Sequence, residues 1–174
     1  MDPYKTLGVS ADSSTDEIKQ AYKNILNEYN SEELDFNSRP LAEEIISEAN
    51  LAYDILINGS IYKEIRNLID NNNIALAEGK LNVLDLQESA EWNYLKGFVY
   101  FKKGWFDVGV QHIVTANEID PNNDEYEKTL NTLKMRSNEV INYYKQNATQ
   151  SQPQQNNMNA CGGGNMGGNA GGMC

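Results

Sequence analysis

The side chains that could act as a nucleophile, a base or a metal ligand are few in this chain of 174 residues. His112 is its only histidine, and Cys161 and Cys174 are its only cysteines. His112 lies one position from an apolar stripe, where a surface or packing role is favoured over proton transfer. The cysteines have neither a second cysteine pair nor a histidine near them, so we expect free thiols and no metal site, although a redox or transient metal-capturing role stays open.

Other signatures of catalysis are also missing from the sequence. No glycine-rich phosphate loop follows a strand, and the many acidic residues fall on the outer positions of predicted helices. Without a nucleophile and base pair, a metal cluster or a cofactor fingerprint, we expect a binding protein with no cofactor rather than an enzyme.

The charge of the chain is strongly negative and unevenly distributed. Its formal net charge is −11, and residues 1–57 hold twelve acidic side chains against four basic ones. Because this charge repels phosphate groups, we expect neither nucleic acid nor a membrane surface as a partner. No run approaches the ~18 apolar residues that a membrane-spanning helix requires, and the N-terminus lacks a basic and apolar leader, so a cytoplasmic location is predicted.

Apolar residues recur at helical spacing up to residue 147, which predicts an all-α fold. A first helix begins near Thr15, where Ser14 and Glu17 form a capping box, and a second begins directly after Pro40, a residue favoured in the first turn. The two stripes consist of Ile18, Ala21, Tyr22, Ile25, Leu26 and Tyr29, and of Leu41, Ile45, Ala49, Ala52, Tyr53 and Leu56. They predict an antiparallel helix pair joined by a polar loop over residues 30–39.

This helical hairpin resembles the J domain of DnaJ-type proteins over residues 2–57. The resemblance rests on the order and spacing of three runs, DPYKTLGVS, DEIKQAYKNILNEY and AEEIISEANLAYDIL. It implies a J-domain-like unit over residues 1–58 and a DnaK-type chaperone as a partner. In that family a His-Pro-Asp tripeptide directly after the helix that matches residues 15–29 stimulates ATP hydrolysis by the chaperone.

The tripeptide is replaced here by Asn30, Ser31 and Glu32. Asn30 cannot become an imidazolium and Ser31 does not fix φ as proline does, whereas Glu32 keeps a carboxylate. The preceding helix, typically basic in active members of the family, has only Lys19 and Lys23 against three acidic residues. The resemblance therefore implies a J-like fold that docks proteins without the usual stimulation. The alternative is a co-chaperone that still acts through Glu32 and these lysines.

Residues 59–147 continue with predicted helix pairs. The first pair is marked by Tyr62, Ile65 and Ile69 and by Ile74, Ala77, Leu81 and Leu84. The next pair, over residues 90–123, resembles a tetratricopeptide repeat in the positions of Gly97, Tyr100, Gly104, Gly109, Ala116 and Pro121, where small residues let two helices approach closely. It departs from that pattern at Asn93 and Lys96. A final helix is predicted to cover the last repeat or to mediate self-association.

The tetratricopeptide resemblance implies a peptide-binding face on the first helix of the repeat. The residues at the matching positions are Glu91, Tyr94, Phe98, Phe101 and Lys102. The alternative is that Tyr94 and Phe98 pack against the preceding helices.

Residues 148–174 are uncharged, rich in Gln, Asn, Gly and Met, and predicted to be disordered. The chain is then an all-α protein in which a J-domain-like hairpin precedes a short tetratricopeptide-like array and a glycine-rich tail. We expect a protein–protein interaction adaptor or chaperone-associated factor, whose partners are other proteins such as a DnaK-type chaperone or client polypeptides.

Overall fold

The structure is a computed structural model that describes residues 1–29 and 37–150, with side chains as far as residue 142. Within these residues the chain forms helices and no strand, which confirms the all-α prediction. The helices are α1 (Pro3–Leu7), α2 (Thr15–Glu28), α3 (Arg39–Asp70), α4 (Ile74–Leu84), α5 (Ala90–Lys102), α6 (Phe106–Ile119) and α7 (Asp124–Gln150). Residues 1–136 form one compact unit, and the described residues from 137 onward belong to a second. None of the described helices combines the length and apolar content that a bilayer crossing requires.

Local sequence signals set the ends of α1 and α2. The Asp2 carboxylate accepts hydrogen bonds from two backbone N–H groups in the first turn of α1. Gly8 ends that helix at φ 66°, a left-handed conformation that costs glycine little. Helix α2 begins at Thr15 with the predicted capping box, in which the Glu17 carboxylate accepts from the Ser14 N–H at 2.6 Å.

The third helix is longer than the sequence pattern indicates. Pro40 lies in its first turn as predicted, but the helix runs unbroken to Asp70 and crosses the predicted boundary between residues 58 and 59. The expectation of two separate helices there was therefore wrong. Gly59 lowers helix stability by only about 1 kcal/mol relative to alanine, and apolar residues on both sides of it supply packing that outweighs this cost.

Two apolar cores use different sides of α3. Near its N-terminal end, Ala49 and Ala52 pack with Leu7 of α1 and Ile18 of α2. Near its C-terminal end, Tyr62, Ile65 and Ile69 join the core of the later helices. Ala49 and Tyr62 are thirteen residues apart, which places them roughly 140° apart around an ideal helix. One helix can therefore serve both cores.

The second core depends on a close approach of α5 and α6. A Cβ added to Gly109 would lie 2.5 Å from the Phe101 ring and 3.0 Å from the carbonyl oxygen of Gly97, which is the role predicted for the small residues. Tyr126 and Leu130 of α7 are buried against this core, as expected of a covering helix. The predicted helix pair is thus present, and its identity as a tetratricopeptide repeat stays a prediction.

The C-terminal end of α7 overlaps the start of the tail that the sequence predicts to be disordered. The helix continues to Gln150, three residues into the segment predicted to be disordered. The rest of that segment, residues 151–174, lies outside the described residues, as do residues 30–36.

Gly109→Ala is expected to lower the free energy of unfolding by about 1–3 kcal/mol, since the added methyl group must displace the Phe101 ring or separate α5 from α6. Gly79→Ala is the matched control. Gly79 lies in the interior of α4 with nothing within 4 Å of an added Cβ, so alanine should preserve stability or raise it by up to about 1 kcal/mol. Urea unfolding followed by far-UV circular dichroism measures both, and equal effects would contradict the close packing.

The capping box should make stability depend on pH. The backbone N–H and hydroxyl of Ser14 donate to the Glu17 carboxylate and lower its pKa below the usual 4.5. A lowered folded-state pKa stabilises the fold above the unfolded-state pKa, and this contribution is lost as the pH falls through the folded-state value. Glu17→Ala should therefore lower Tm at about pH 7 but have little effect at about pH 3.

Thermal unfolding followed by circular dichroism at the two pH values tests this. Glu17→Gln is the control, because its amide oxygen can still accept from Ser14 but does not titrate. A Tm difference between the parent chain and Glu17→Ala that is the same at both pH values would show that the carboxylate charge does not contribute.

Candidate protein-binding surfaces

Helix α2 presents a pair of basic side chains to solvent. Lys19 and Lys23 are one turn apart on the same side of the helix, and both are exposed. Neither makes an ion pair with another residue that the structure describes. Asp16 and Glu28, also exposed, add negative charge near the two ends of the helix. The predicted chaperone-docking lysines are thus accessible, whereas residues 30–32, where the sequence predicts a degenerate motif, lie outside the described residues.

The five residues of the predicted peptide-binding face divide into two groups. Glu91 and Tyr94 are covered by neighbouring helices, and Tyr94 is only 3% exposed. Phe98 and Phe101 are partly buried, and Lys102 is exposed. Tyr94 is therefore a packing residue, which was the alternative to peptide binding. Solvent reaches the predicted face mainly at its C-terminal end. Peptide binding at this face stays a prediction.

Glu91 belongs to an ion-pair network that joins three helices. The Arg66 guanidinium in α3 donates to Glu91 in α5 at 2.6 and 2.8 Å, and to Glu125 in α7 at 2.8 and 3.2 Å. It also lies 5.2 Å from the centre of the Tyr94 ring, and the Tyr126 hydroxyl donates to Glu91 at 2.8 Å. Burial lowers the pKa of Arg66, but hydrogen bonds to the two carboxylates outweigh it and raise that pKa overall. The guanidinium therefore stays charged and acts as a fixed cross-link.

A second polar network lies nearer the middle of α3. The Tyr62 hydroxyl donates to Asp54 at 3.0 Å and lies 2.9 Å from Ser89 Oγ. Ser89 donates to Asp54 and also caps α5 by accepting from the Trp92 N–H at 3.1 Å. Burial is the main cause that raises the pKa of Tyr62, so its hydroxyl keeps its proton. The start of α5 is thereby fixed to α3.

Lys96 of α5 is buried, although the sequence marks it only as a departure from the repeat pattern. It is 6% exposed, and its ammonium group donates to Asn82 and lies 5.5 Å from the ring centres of both Trp92 and Tyr100. Burial lowers its pKa. The two rings come four residues before and after the lysine, and this spacing is the sequence signal that would have predicted the cation–π contacts.

His112 packs beside this lysine. Its ring stacks on that of Tyr100 with the centres 5.3 Å apart, and its Nδ1 lies 2.9 Å from Asn93 Oδ1. Burial, and then the charge of Lys96, lower its pKa, so the imidazole is neutral at pH 7. The packing role predicted for it agrees with this position. Among the described residues, no three His, Cys, Asp or Glu side chains are grouped as a metal site would require, and both cysteines lie outside them.

The solvent-facing end of the predicted face opens into a groove between α5, the start of α6 and α7. We call it the aromatic groove; its volume is about 430 Å³, and two threonines line it together with Phe98, Phe101, Phe106, Leu133, Lys128 and Arg136. Phe106 is 65% exposed, with its ring centre 6.4 Å from that of Phe101. The sequence named two of these residues as site candidates. It missed the others because tertiary packing, and no local pattern, brings α6 and α7 beside α5.

Replacing Arg66 by methionine should lower the free energy of unfolding by about 2 kcal/mol, because it leaves the largely buried Glu91 without its cation. The Arg66 side chain is 34% exposed, which keeps the loss below that of a fully buried pair. Lys80→Met is the control: it removes an ion pair of 3.1 Å with Glu64, whose side chain is 54% exposed. The carboxylate left behind stays hydrated, so the loss should be less than about 1 kcal/mol. Urea unfolding compares them, and equal losses would contradict a structural role for the network.

Comparison with known proteins identifies the first part of the chain. Residues 2–64 match the family model of the DnaJ domain. The chaperone protein DnaJ of a Synechococcus species is 43% identical over 60 residues, which cover 34% of this chain and 14% of that protein. Chaperone protein DnaJ 1 of a Synechocystis species is 46% identical over 55 residues, 32% of this chain and 14% of the relative. Chaperone protein DnaJ 1 of Aquifex aeolicus is 34% identical over 73 residues, which cover 42% of this chain and 19% of that protein.

The similarity is confined to part of each protein. The matched segments span less than a fifth of these curated relatives, and no solved structure matches the chain. The family match begins in the turn before α1 and ends inside α3, six residues beyond the boundary at 58 that the sequence pattern predicted. Helices α1 and α2 and most of α3 are therefore the frame of a DnaJ-type J domain, which occupies residues 2–64.

Proposed function

We propose that this chain is a protein-binding adaptor of a chaperone system, whose J domain does not stimulate a DnaK-type ATPase in the usual way. One observation carries the proposal: a J-domain match over residues 2–64 coincides with Asn30, Ser31 and Glu32 in the place of His-Pro-Asp. The frame of the domain is kept, and the group that acts on the ATPase is replaced.

The chemistry of the replacement supports this reading. An asparagine amide cannot carry the positive charge of an imidazolium, and serine leaves φ free where proline restricts it. Only the carboxylate at Glu32 is retained. Helix α2 adds little electrostatic attraction for an acidic partner, because it carries two lysines but three acidic residues.

The remainder of the described chain supports binding rather than catalysis. Its polar networks around Arg66 and Tyr62 are saturated by internal partners, and its one histidine is packed against an aromatic ring. The aromatic groove, by contrast, exposes apolar surface that a partner could cover. We therefore propose a cytoplasmic, non-enzymatic protein whose partners are a DnaK-type chaperone or client polypeptides.

A second candidate function is an active co-chaperone. It is favoured by Lys19 and Lys23, which are exposed on one side of α2 and held by no ion pair in the described part of the chain. In that case these lysines dock on the chaperone and Glu32 takes over the part of the missing aspartate.

Single-turnover ATP hydrolysis by the DnaK of the host separates the two functions. We expect the parent chain to leave the hydrolysis rate unchanged, while a DnaJ with an intact His-Pro-Asp accelerates it in the same assay. Stimulation by the parent chain that is lost on Glu32→Ala, or on Lys19→Ala with Lys23→Ala, would overturn the adaptor proposal in favour of the co-chaperone.

A gain-of-function variant provides the matched control. The triple change Asn30→His, Ser31→Pro and Glu32→Asp restores the family tripeptide and should give the chain some stimulation, since the J-domain frame is present. The stimulation should stay below that of the intact DnaJ, because the acidic residues of α2 remain. Full stimulation by the triple variant would show that α2 contributes nothing to the loss.

A further inference from the structure

The aromatic groove is one of the surfaces that the packing of the described helices leaves open. Three phenylalanine rings line it: Phe98 and Phe101 are partly buried, and Phe106 is 65% exposed at the start of α6. Leu133 of α7 also lines the groove. A single exposed aromatic ring is common on protein surfaces, but three rings around one concave space form a patch that gains free energy when a partner covers it.

The charge of the groove is opposite to that of the chain. The chain carries −11, yet the charged residues that line the groove are Lys128 and Arg136, with no carboxylate among them. Lys128 pairs with Asp124 at 3.4 Å, but both side chains are more than three-quarters exposed, and such a pair is worth little. Arg136 has no ion pair within the described residues. Both cations are therefore able to meet carboxylates of a partner.

We propose that the aromatic groove binds a short segment of a partner protein in which apolar side chains alternate with aspartate or glutamate. The proposal rests on the proposed adaptor function and gives the chemistry of its partner. Apolar side chains would enter between the three rings, and the neighbouring carboxylates would meet Lys128 and Arg136 at the rim. A volume of about 430 Å³ lies within the usual range of ligand pockets and holds a few side chains rather than a folded domain.

Charge complementarity selects this occupant over others. Residues 148–174 of the same chain have no acidic side chain to offer the two cations. A second copy of the chain could supply acidic groups, and it is treated below as an outcome of the test.

Fluorescence anisotropy with the full chain and labelled twelve-residue peptides tests the proposal. One peptide carries leucine and phenylalanine separated by glutamate, and its counterpart carries glutamine in place of every glutamate. We expect the acidic peptide to bind about tenfold more tightly at low salt, and the difference to shrink as salt screens the rim charges.

Two groove variants and two controls locate the site. Lys128→Glu with Arg136→Glu should abolish the preference for the acidic peptide, and Phe106→Ala should weaken both peptides about equally. Lys134→Glu reverses one cation at an exposed position of α7 outside the groove, and Val83→Ala removes an exposed apolar side chain from α4; both should bind like the parent chain. Because the altered side chains are exposed, circular dichroism should show every variant to be folded.

Three results would overturn the proposal. Equal binding of the acidic and glutamine peptides would show that the two cations do not contribute. A preference for the acidic peptide that persists in the variant with Lys128→Glu and Arg136→Glu would show the same. Absence of binding by either peptide would exclude a short segment as the occupant. Sedimentation showing a dimer that dissociates on Phe106→Ala would assign the groove to a second copy. Each of these leaves the ATPase result untouched, so failure here is distinguishable from failure of the adaptor function.

Discussion

The unbroken helix α3 is the constraint on which the rest of the described fold depends. Its first half places Ala49 and Ala52 in the core with α1 and α2, and its second half places Tyr62 and Ile65 in the core with the later helices. The backbone hydrogen bonds of a helix run through the residues between the two cores, so bending there would break several of them at once. The J domain and the helices after it are therefore joined by a rigid element rather than by a linker.

The two polar networks strengthen this joint from the side. Asp54, Tyr62 and Ser89 fix the start of α5 to the middle of α3, and Arg66 fixes both α5 and α7 to its C-terminal half. Such networks are directional, so they select one arrangement of helices where apolar packing alone would allow several. They also explain why Glu91 and Tyr94 are buried in contacts within the fold. Only the part of α5 beyond these networks, from Phe98 and Phe101 onward, can therefore contribute to a binding surface.

Local signals predicted those parts of the fold that local physics determines. The capping box at Ser14 and the proline at residue 40 predicted the starts of two helices. The glycines of α5 and α6 predicted that these two helices approach each other closely. The prediction failed after residue 58, where the J-domain resemblance ended and a new helix was expected, but the packing of the flanking residues keeps α3 intact. The candidate site was predicted less well. Arg66 meets Glu91 from 25 positions away, and Lys128 and Arg136 reach the groove from another helix, so no spacing along the chain could reveal those contacts.

Within the described residues, the apolar core of the J domain is formed by its helices. The core of the domain consists of Leu7, Ile18, Ala49 and Ala52, with the stacked rings of Tyr22 and Tyr53 beside it at 4.2 Å. All of these lie in the described helices, and none belongs to residues 30–32. Burial of this apolar surface supplies most of the stabilising free energy, so the tripeptide can change without loss of the frame. Asn30 and Ser31 supply neither an imidazolium nor a φ-restricting proline, whereas Glu32 supplies a carboxylate. The frame of the J domain and the aromatic groove are thus built from different residues, so a change at residues 30–32 leaves the side chains that line the groove unchanged.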